Sequence, residues 1–388
     1  MDKLGVVFVL DEFHPTFSGH GEYLKKHMRE MANLGYSFTV ISRRKPGLAP
    51  TGRFENTDIV RIPDHAKYFP YICALIRALF SLRHRYDIIH LNGPVDRWGI
   101  LVLVARLLRK KIVMQMVLMG SDDPETFARS YKLGRYRLRL LARMDAFTAI
   151  SQPLCDKYIE SGMPERKLSL IPTGMDTSVF HSVSVEEKNR LRNELGIAIN
   201  APTAVFVGTI MYRKGVDILV DAWMDVQKQC PEAQLILVGL NEFDSGHVNA
   251  ESLNDYVKSI RDQVRDNDLK VVFVGLTDKV DLYLKASDVF AFPSRKEGLG
   301  NVIFEAMGCG LPCVVSPMDG VAHDTVEDGV TGFIVESTEQ MAQKIAELLA
   351  DRDLARSMGR AGEQRARDKF DMKKIAIQYD RLYRSLYR

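Results

Sequence analysis

The sequence predicts an α/β protein built from two doubly wound domains, each a parallel sheet covered by helices. Three observations predict this class. Short apolar runs bounded by turn residues alternate with amphipathic helical patterns along nearly the whole chain, as expected for parallel strands joined by crossover helices. The alternation lapses over residues 176–200 and then starts afresh. The length of 388 residues also exceeds what one hydrophobic core usually supports.

The first half of the chain contains seven predicted strands, most of them followed by a predicted helix. The strands are expected over residues 4–10, 37–42, 58–63, 87–92, 111–118, 146–151 and 167–172. The helix after the first strand has an amphipathic pattern, EYLKKHMREMANLG, that stops at Gly35. We therefore expect residues 1–178 to form an N-terminal, Rossmann-like domain.

The second half repeats the pattern with six further strands. They are expected over residues 203–208, 233–239, 270–275, 288–294, 311–316 and 331–336. We expect residues 179–370 to form a second Rossmann-like domain, with the hinge in the polar stretch 176–200. Residues 371–388 form an amphipathic pattern with no strand after it, so a final helix that packs back toward the N-terminal domain is expected.

Composition excludes several classes of protein. The hydrophobic content of 46% and the charged content of 27% are ordinary for a globular protein and too apolar for disorder. No segment has the roughly 18 uncharged apolar residues that a membrane span needs, and the start of the chain does not resemble a signal peptide. The five cysteines are scattered without CxxC pairs, which favours neither disulfides nor zinc. We expect a cytoplasmic protein.

Positive charge is concentrated in the first half. Residues 1–180 carry 27 Lys and Arg against 18 Asp and Glu, whereas the remainder carries 26 against 32. The segment YKLGRYRLRLLAR is typical of a helix that meets anionic lipid at the inner face of a membrane or binds a lipid-phosphate acceptor. A solvated helix face is an equally good interpretation. The cations of the segment are Lys132, Arg135, Arg137, Arg139 and Arg143. No nucleic-acid-binding module is recognised, so nucleic acid is not expected as a partner.

The stretch PSRKEGLGNVIFEA holds the most informative pair of residues, Glu297 and Glu305. Glu297 follows a predicted strand, at the edge where α/β sheets bind ligands. A helix beginning near Gly300 would turn backbone N–H groups toward an anion. Glu305 would lie about 6 Å along that helix, where a carboxylate can accept from two neighbouring hydroxyl groups. The pattern indicates a ligand with phosphates between two hydroxyl-bearing ends, although either glutamate alone is more often a surface charge.

The stretch FVGTIMYRKGVD supplies the complementary cations. Gly208 ends a predicted strand, and Arg213 and Lys214 follow it before a predicted helix. This loop opens at the same edge of the sheet, where Arg can bind phosphate oxygens bidentately and Lys can act as a compact charge. A solvated turn is the common alternative for such a pair, but the joint occurrence of both motifs favours a phosphate site.

These motifs resemble those of the retaining nucleotide-sugar glycosyltransferases of family 4, which have the GT-B fold of two facing Rossmann-like domains with a cleft between them. The resemblance extends to EDGVTGFIV near the end, to AISQPLCDKYIESGMPERKLSLIPTGMD, and to GHGEYLKKHMREMANLGYSFTVIS near the start. It therefore covers nearly the whole chain, in the family's order.

The resemblance implies a role for each motif. Arg213 and Lys214 would bind the diphosphate and Glu297 the hydroxyls of the donor sugar, these three being the catalytic set. Glu305 would bind the ribose. The remaining donor-binding residues would be Gly19, Gly21, Gly208, Gly298, Leu299, Gly300, Asn301 and Val302.

The activity implied is transfer of a sugar, with retention, from a nucleotide-diphosphate sugar to a hydroxyl of a glycan, lipid-linked or small-molecule acceptor. We expect a UDP-sugar in preference to a GDP-sugar. No cofactor or metal is expected, because the two cations can stabilise charge on the leaving phosphate. Two D-x-D stretches, 266–268 and 351–353, fall where acidic turns are common, and metal binding there is the less favoured interpretation.

Four polar residues of the first half are candidate acceptor or sugar contacts: His20, His90, Asn92 and Asp122. Each is equally compatible with a structural role at a strand or loop end. Met119 lies where many members of the family have histidine, and a thioether cannot donate a hydrogen bond to a sugar. This keeps open a catalytically silent sugar-nucleotide-binding protein. A sugar-nucleotide epimerase of the same fold is a further alternative, although Glu297 and Glu305 do not supply the general bases that it would need at the sugar carbon. A dehydrogenase is disfavoured because SGHGEYLKK lacks the third glycine of the dinucleotide fingerprint.

Overall fold

The computed structural model describes residues 3–16, 18–63, 68–92, 98–130, 134–243 and 249–387. Its contacts divide the chain into two compact units. Unit 1 comprises Met1–Gly174 together with Met372–Arg388, and unit 2 comprises Met175–Asp371. The chain thus passes between the units shortly before the expected boundary at 178, and the C-terminal residues belong to unit 1. In the described part of the chain, no helix is both long and apolar enough to span a bilayer.

Unit 1 is built on an eight-stranded sheet with the order β3-β4-β2-β1-β5-β6-β7-β8. Its strands are β1 Gly5–Val9, β2 Ser37–Arg44, β3 Thr51–Phe54, β4 Thr57–Pro63, β5 Ile88–Asn92, β6 Lys111–Met116, β7 Ala146–Ala149 and β8 Leu168–Leu170. All neighbours are parallel except β3 and β4, which form an antiparallel hairpin. Strand β3 was not predicted from the sequence, because TGRF has no apolar run and lies half exposed at the sheet edge.

Helices flank this sheet, and α15 joins them from the far end of the chain. They are α1 Gly19–Asn33, α2 Tyr68–Ser81, α3 Trp98–Leu107, α4 Pro124–Ser130, α5 Gly134–Leu141, α6 Gln152–Glu160 and α15 Met372–Ser385. The core combines Phe8 of the sheet with Leu24 and Met28 of α1 and with Ile375 and Tyr379 of α15. The final helix is therefore an integral part of unit 1, since it buries its apolar face there.

Unit 2 is built on a six-stranded parallel sheet with the order β11-β10-β9-β12-β13-β14. Its strands are β9 Thr203–Val207, β10 Gln234–Val238, β11 Val271–Gly275, β12 Val289–Phe292, β13 Cys313–Val315 and β14 Gly332–Ile334. Counted from β9, this is the Rossmann order 3-2-1-4-5-6, which reverses direction between the first and fourth strands. The predicted ligand crevice of unit 2 is therefore the carboxyl edge of β9 and β12.

Eight helices are described in unit 2. They are α7 Val185–Leu195, α8 Val216–Gln229, α9 Ala250–Asp266, α10 Val280–Ala286, α11 Asn301–Gly308, α12 Ala322–Thr325, α13 Thr338–Ala350 and α14 Arg352–Lys369. Most follow a strand and return the chain to the start of the next one, as parallel connections require.

The stretch 176–200, expected to be a hinge, contains α7 and is packed into unit 2. Arg192 is buried and donates to the carbonyl of Ala286 at 2.8 Å and to Oδ2 of Asp288 at 2.7 Å. Lys188 donates to the other carboxylate oxygen of Asp288, also at 2.7 Å. The expectation of a hinge does not hold for α7, because polar side chains that suggested solvation instead bind the half-buried carboxylate of Asp288.

Candidate functional site

The loops that follow β9 and β12 meet at the point where the strand order of unit 2 reverses. Gly208 comes directly after β9, and its N–H donates to the carbonyl of Val238 at 2.9 Å. The chain then makes a single 3₁₀ turn, Tyr212–Lys214, before α8 begins. Pro293 comes directly after β12 and starts the PSRKEGLG loop. Two motifs that lie about eighty residues apart in the sequence are thus brought together by one pair of adjacent strands.

Three side chains donate to a single oxygen, Oε1 of Glu297. Lys214 Nζ lies 2.6 Å from this oxygen, Arg213 lies 3.1 Å from it, and the hydroxyl of Ser294 lies 2.6 Å from it. Glu297 is 8% exposed, so the loop buries a carboxylate together with the partners that a buried charge requires. The structure brings together the three residues predicted to be catalytic.

The two cations differ in exposure. The side chain of Lys214 is 14% exposed and that of Arg213 is 40% exposed. Burial holds the pKa of Lys214 below its ordinary value, and the neighbouring Glu297 carboxylate only partly offsets this effect. Arg213 also donates to the carbonyl of Lys296 at 2.7 Å. Because two cations share one carboxylate, the cluster retains one net positive charge that an anionic ligand could neutralise.

Gly215 is the residue that lets the two loops approach each other. Its φ is 68°, in the left-handed region, and a Cβ at this position would lie 2.1 Å from the carbonyl oxygen of Pro293. Only glycine accommodates both the backbone conformation and this contact. The backbone N–H of Arg295 also donates to the carbonyl of Arg213 at 2.9 Å, so the loops form one hydrogen-bonded unit.

Helix α11 begins at Asn301, where the sequence predicted a helix start. Gly300 precedes it with φ 77° and ψ 61°. The first N–H groups of an α-helix have no partner within the helix, and the helix dipole at the start of α11 favours an anion. Gly298 and Leu299 are buried in the loop before it. Glu305 lies on the second turn of α11 and is half-buried, within a helix whose opposite face is packed in the core.

The predicted glycines of unit 1 lie at the start of α1. Gly19 is exposed, and the N–H of Gly21 donates to Oγ of Ser18 at 3.0 Å, which caps the helix. His20 between them is half-buried, and burial lowers its pKa to about 4. Its Nε2 has no hydrogen-bond partner among the described residues. His20 is therefore neutral near pH 7.

His90 and Asn92 lie deeper than an acceptor contact would require. His90 is 1% exposed, and its Nδ1 contacts the hydroxyl of Tyr383 at 2.5 Å. Asn92 donates to Oε1 of Gln115 at 2.6 Å, although its own Oδ1 has no partner in the described part of the chain. The contact of His90 with the acceptor stays a prediction, and in this structure the side chain packs in the core against Tyr379 and Tyr383 of α15.

Asp122 organises the loop that follows β6. Its Oδ2 accepts from the N–H groups of Val117 and Leu118, each at 3.0 Å. Burial raises its pKa to about 6, against the lowering effect of these hydrogen bonds and of Ser121. The same loop carries Met119, which is half-buried. Asp122 thus shapes the segment in which the family usually has histidine.

No cluster of three or more His, Cys, Asp or Glu side chains suited to a metal ion occurs within the described ranges. Of the two D-x-D stretches, 351–353 has a structural role, since Asp351 accepts from the N–H groups of Asp353 and Leu354 and caps α14. Asp266 is the last residue of α9 and pairs with Arg265 at 2.9 Å.

Three residues that support the site were not predicted from the sequence: Ser294, Arg295 and Asp217. Arg295 forms a bidentate ion pair with Asp217, at 2.9 and 2.6 Å. Arg295 and Asp217 both lie within the motifs already described, but no local pattern predicts an ion pair between residues that are 78 positions apart. The pairing could be found only once β9 and β12 were known to be neighbours.

Comparison with known proteins gives two family matches that together span both units. Residues 17–179 match the model for Glycosyltransferase Family 4, and residues 187–365 match the model for Glycosyl transferases group 1. The chain is 26% identical over 333 residues to N-acetyl-alpha-D-glucosaminyl L-malate synthase of Bacillus anthracis, a match that covers 83% of this chain and 81% of that enzyme.

Two further proteins illustrate the range of these relatives. A GDP-mannose-dependent alpha-(1-6)-phosphatidylinositol monomannoside mannosyltransferase of Mycobacterium tuberculosis is 31% identical over 234 residues, 57% of this chain and 56% of that enzyme. Among solved structures, Anabaena HepE in complex with UDP and glucose superposes with a TM-score of 0.78 at 22% identity, covering 98% of this chain and all of that one. The structural likeness extends over both units.

Proposed function

The chain belongs to the group 1 and family 4 glycosyltransferases and has their GT-B fold, and we propose that it is a retaining enzyme that transfers a sugar from a UDP-sugar to a hydroxyl group of an acceptor. The observation that carries this proposal is the meeting of Arg213, Lys214 and Glu297 at the carboxyl edge of β9 and β12. Their net positive charge, beside the start of α11, suits a diphosphate.

The chemistry required of the protein is mainly electrostatic. In the transfer, the bond between the anomeric carbon and the leaving phosphate oxygen breaks, and the acceptor oxygen forms the new bond on the same face. The acceptor proton passes to the leaving phosphate oxygen. Arg213 and Lys214 stabilise the charge that develops on the diphosphate, as preorganised donors do in other transfers. We therefore propose that no metal ion and no cofactor is needed.

The donor is held along the PSRKEGLG loop and α11. Glu297 would accept from hydroxyls of the sugar and Glu305 from the two ribose hydroxyls, with the N–H groups of Asn301 and Val302 on the phosphates. A UDP-sugar is favoured over a GDP-sugar because the Anabaena neighbour was solved with UDP. The dependence of the mycobacterial relative on GDP-mannose makes a GDP-sugar the alternative.

Unit 1 would supply the contacts to a glycan, lipid-linked or small-molecule acceptor. Asp122 would act there by shaping the loop of Met119, and His20, half-buried at the start of α1, would contact the sugar or the acceptor. We favour a lipid-linked acceptor and a cytoplasmic protein that docks on the inner face of a membrane, because α3 and α5 carry an apolar and basic surface.

This α3–α5 surface combines exposed apolar and cationic side chains. Leu103, Leu107 and Tyr136 are 53%, 72% and 65% exposed, and neither 98–121 nor 134–144 contains an acidic residue. Exposed arginines accompany them: Arg106, Arg109, Arg139 and Arg143. Lys132 and the side chains of Arg135 and Arg137 lie outside the described residues. Apolar anchors within a field of positive charge favour anionic lipid.

Vesicle flotation tests the docking surface. We expect binding to vesicles that contain phosphatidylglycerol and little binding to phosphatidylcholine alone. The double variant Leu103→Ser, Leu107→Ser should release the protein, whereas Leu276→Ser, at a 59% exposed leucine of unit 2, should not. Equal binding by all three proteins would overturn the assignment.

The activity itself is tested by incubating the pure protein with a panel of UDP- and GDP-sugars, with and without glycoside and lipid-phosphate acceptors, in the presence of EDTA. We expect release of UDP and a product whose anomeric configuration, read by NMR, matches that of the donor. A sugar-nucleotide product with an inverted ring carbon would replace the proposal by an epimerase. Tight UDP binding without turnover across the panel would favour a silent binding protein.

A further inference from the structure

We propose that Arg295 and Asp217 are positioning residues that hold the Tyr212–Lys214 turn in the geometry needed to bind a diphosphate. The inference rests on the proposed function, and it adds two residues that act through Arg213 and do not themselves contact the donor. It comes from the contacts that the two loops at the carboxyl edge of β9 and β12 make with each other.

Arg295 is attached to both ends of the turn. One of its terminal nitrogens donates to the carbonyl of Tyr212, the first residue of the turn, at 2.5 Å. The same nitrogen donates to Oδ1 of Asp217 at 2.9 Å, and the other terminal nitrogen donates to Oδ2 at 2.6 Å. Asp217 lies in the first turn of α8, just beyond Lys214. One guanidinium therefore bridges the residues on either side of the two cations.

Further contacts make this bridge rigid. The guanidinium carbon of Arg295 lies 3.9 Å from the centre of the Tyr212 ring. The hydroxyl of Tyr256 donates to Oδ1 of Asp217 at 2.8 Å and accepts from the backbone N–H of Asp217 at 3.1 Å. Although burial alone would raise the pKa of Asp217, hydrogen bonds from Arg295 and Tyr256 hold it below its ordinary value. The carboxylate is thus ionised whenever the enzyme works near neutral pH.

The charge balance distinguishes Arg295 from its neighbours. The positive charge of Arg295 is balanced by the carboxylate of Asp217 in a bidentate pair, and both terminal nitrogens of Arg295 donate hydrogen bonds to it. Arg213 and Lys214 instead share the single carboxylate of Glu297. Arg295 therefore has little surplus charge to offer a phosphate, and its contacts are directed at the backbone and the start of α8. Fixing the turn removes conformational freedom that donor binding would otherwise have to restrict.

A double-mutant cycle tests this role. Arg295→Met should lower kcat about tenfold and weaken UDP binding by a similar factor, while the affinity for uridine without phosphates stays unchanged. In an Arg213→Ala background the same change should cost clearly less than tenfold, because only Lys214 is then left for Arg295 to position. Arg295→Lys, which keeps the charge but not the fork, should recover only part of the loss.

Two further variants keep the test independent of folding. Tyr256→Phe removes one hydrogen bond from Asp217 and should give a smaller loss in the same direction. Arg265→Met changes a surface arginine of α9 that pairs with Asp262 and Asp266, and should match the wild type in kcat and in UDP affinity. The melting temperature of each variant is measured alongside.

The outcomes separate this inference from the proposed function. If the wild type neither binds UDP or GDP nor turns over any sugar nucleotide, the proposed function itself fails. If the wild type is active and Arg295→Met equals it, or lowers kcat by the same factor with and without Arg213, Arg295 is not a positioning residue for Arg213. A loss of uridine affinity equal to the loss of UDP affinity would also overturn the role.

Discussion

Lys214 Nζ lies 2.6 Å from Oε1 of Glu297, and the same oxygen accepts from Arg213. The pair joins residues 83 positions apart, and it exists because β9 and β12 are neighbours in the sheet. Without donor, the carboxylate holds the two cations in place. With the donor bound, the diphosphate would share the two cations with Glu297. Cations that are already held in place need less reorganisation on binding than mobile ones.

Replacing either cation should mainly lower turnover. We expect Arg213→Ala and Lys214→Ala each to reduce kcat by about 10²- to 10³-fold, as loss of one preorganised donor does elsewhere, and to change KM for the donor less. Steady-state release of UDP measures both constants. Lys228→Ala removes an exposed lysine of the same unit and should leave them unaltered. Unchanged kinetics in both cation variants would remove the assigned site.

Replacing Glu305 should weaken nucleotide binding more than it affects the chemical step. Two hydrogen bonds from ribose hydroxyls to a carboxylate, at about 1.5 kcal/mol or more each, correspond to a loss of roughly a hundredfold or more in UDP affinity for Glu305→Ala. Calorimetric titration with UDP and with 2′-deoxy-UDP checks the assignment. The variant should no longer discriminate between them, and an intact preference would place the ribose elsewhere. Glu251→Ala, on α9, is the surface control.

The closeness of the two loops depends on Gly215. An alanine there adopts the left-handed region at a cost of about 1–2 kcal/mol, and its methyl group also meets the Pro293 carbonyl. Gly196→Ala is the matched control, since Gly196 has φ 70° but no atom within 4 Å of its would-be Cβ. We expect a smaller loss of unfolding free energy in Gly196→Ala than in Gly215→Ala, measured by denaturant unfolding, and a large loss of turnover in Gly215→Ala alone.

A buried histidine should make unit 1 sensitive to acid. His27 is 2% exposed, neither ring nitrogen has a partner among the described residues, and burial lowers its pKa to about 3. The unfolded chain takes up a proton near pH 6.5 and the folded protein does not. Stability is therefore undiminished above pH 6.5 and falls below it, by up to about 1.4 kcal/mol per pH unit from this residue.

The variant His27→Phe tests this predicted fall in the free energy of unfolding with decreasing pH. The groups around His27 come from α1, β1, β5 and α15, namely His20, Tyr23, Phe8, His90 and Tyr379. We expect the free energy of unfolding of the variant to fall less steeply between pH 6.5 and 4.5. His84→Phe, at an exposed position, should keep the wild-type slope. Parallel curves for wild type and His27→Phe would show that His27 titrates normally.

Much of the fold was predictable because buried parallel strands are continuous apolar runs. All thirteen strands predicted from the sequence are present in the structure, and α11 starts where Gly300 and Asn301 indicated. Strand β3 and helix α7 were not foreseen. TGRF lacks an apolar run, and the polar pattern of α7 includes Lys188 and Arg192, which pair with Asp288, a partner about a hundred residues away.

The sequence by itself determined the elements, the two motifs and the kinds of charge each motif carries, since these depend on local periodicity and side-chain chemistry. Only the tertiary structure decided that Glu297 pairs with Lys214, that Arg295 braces Asp217, and that His90 belongs to the core. The physical reason is that spacing along the chain reports which face of an element is buried. It does not report which strands become neighbours, and the order of β9 and β12 is what brings these residues into contact.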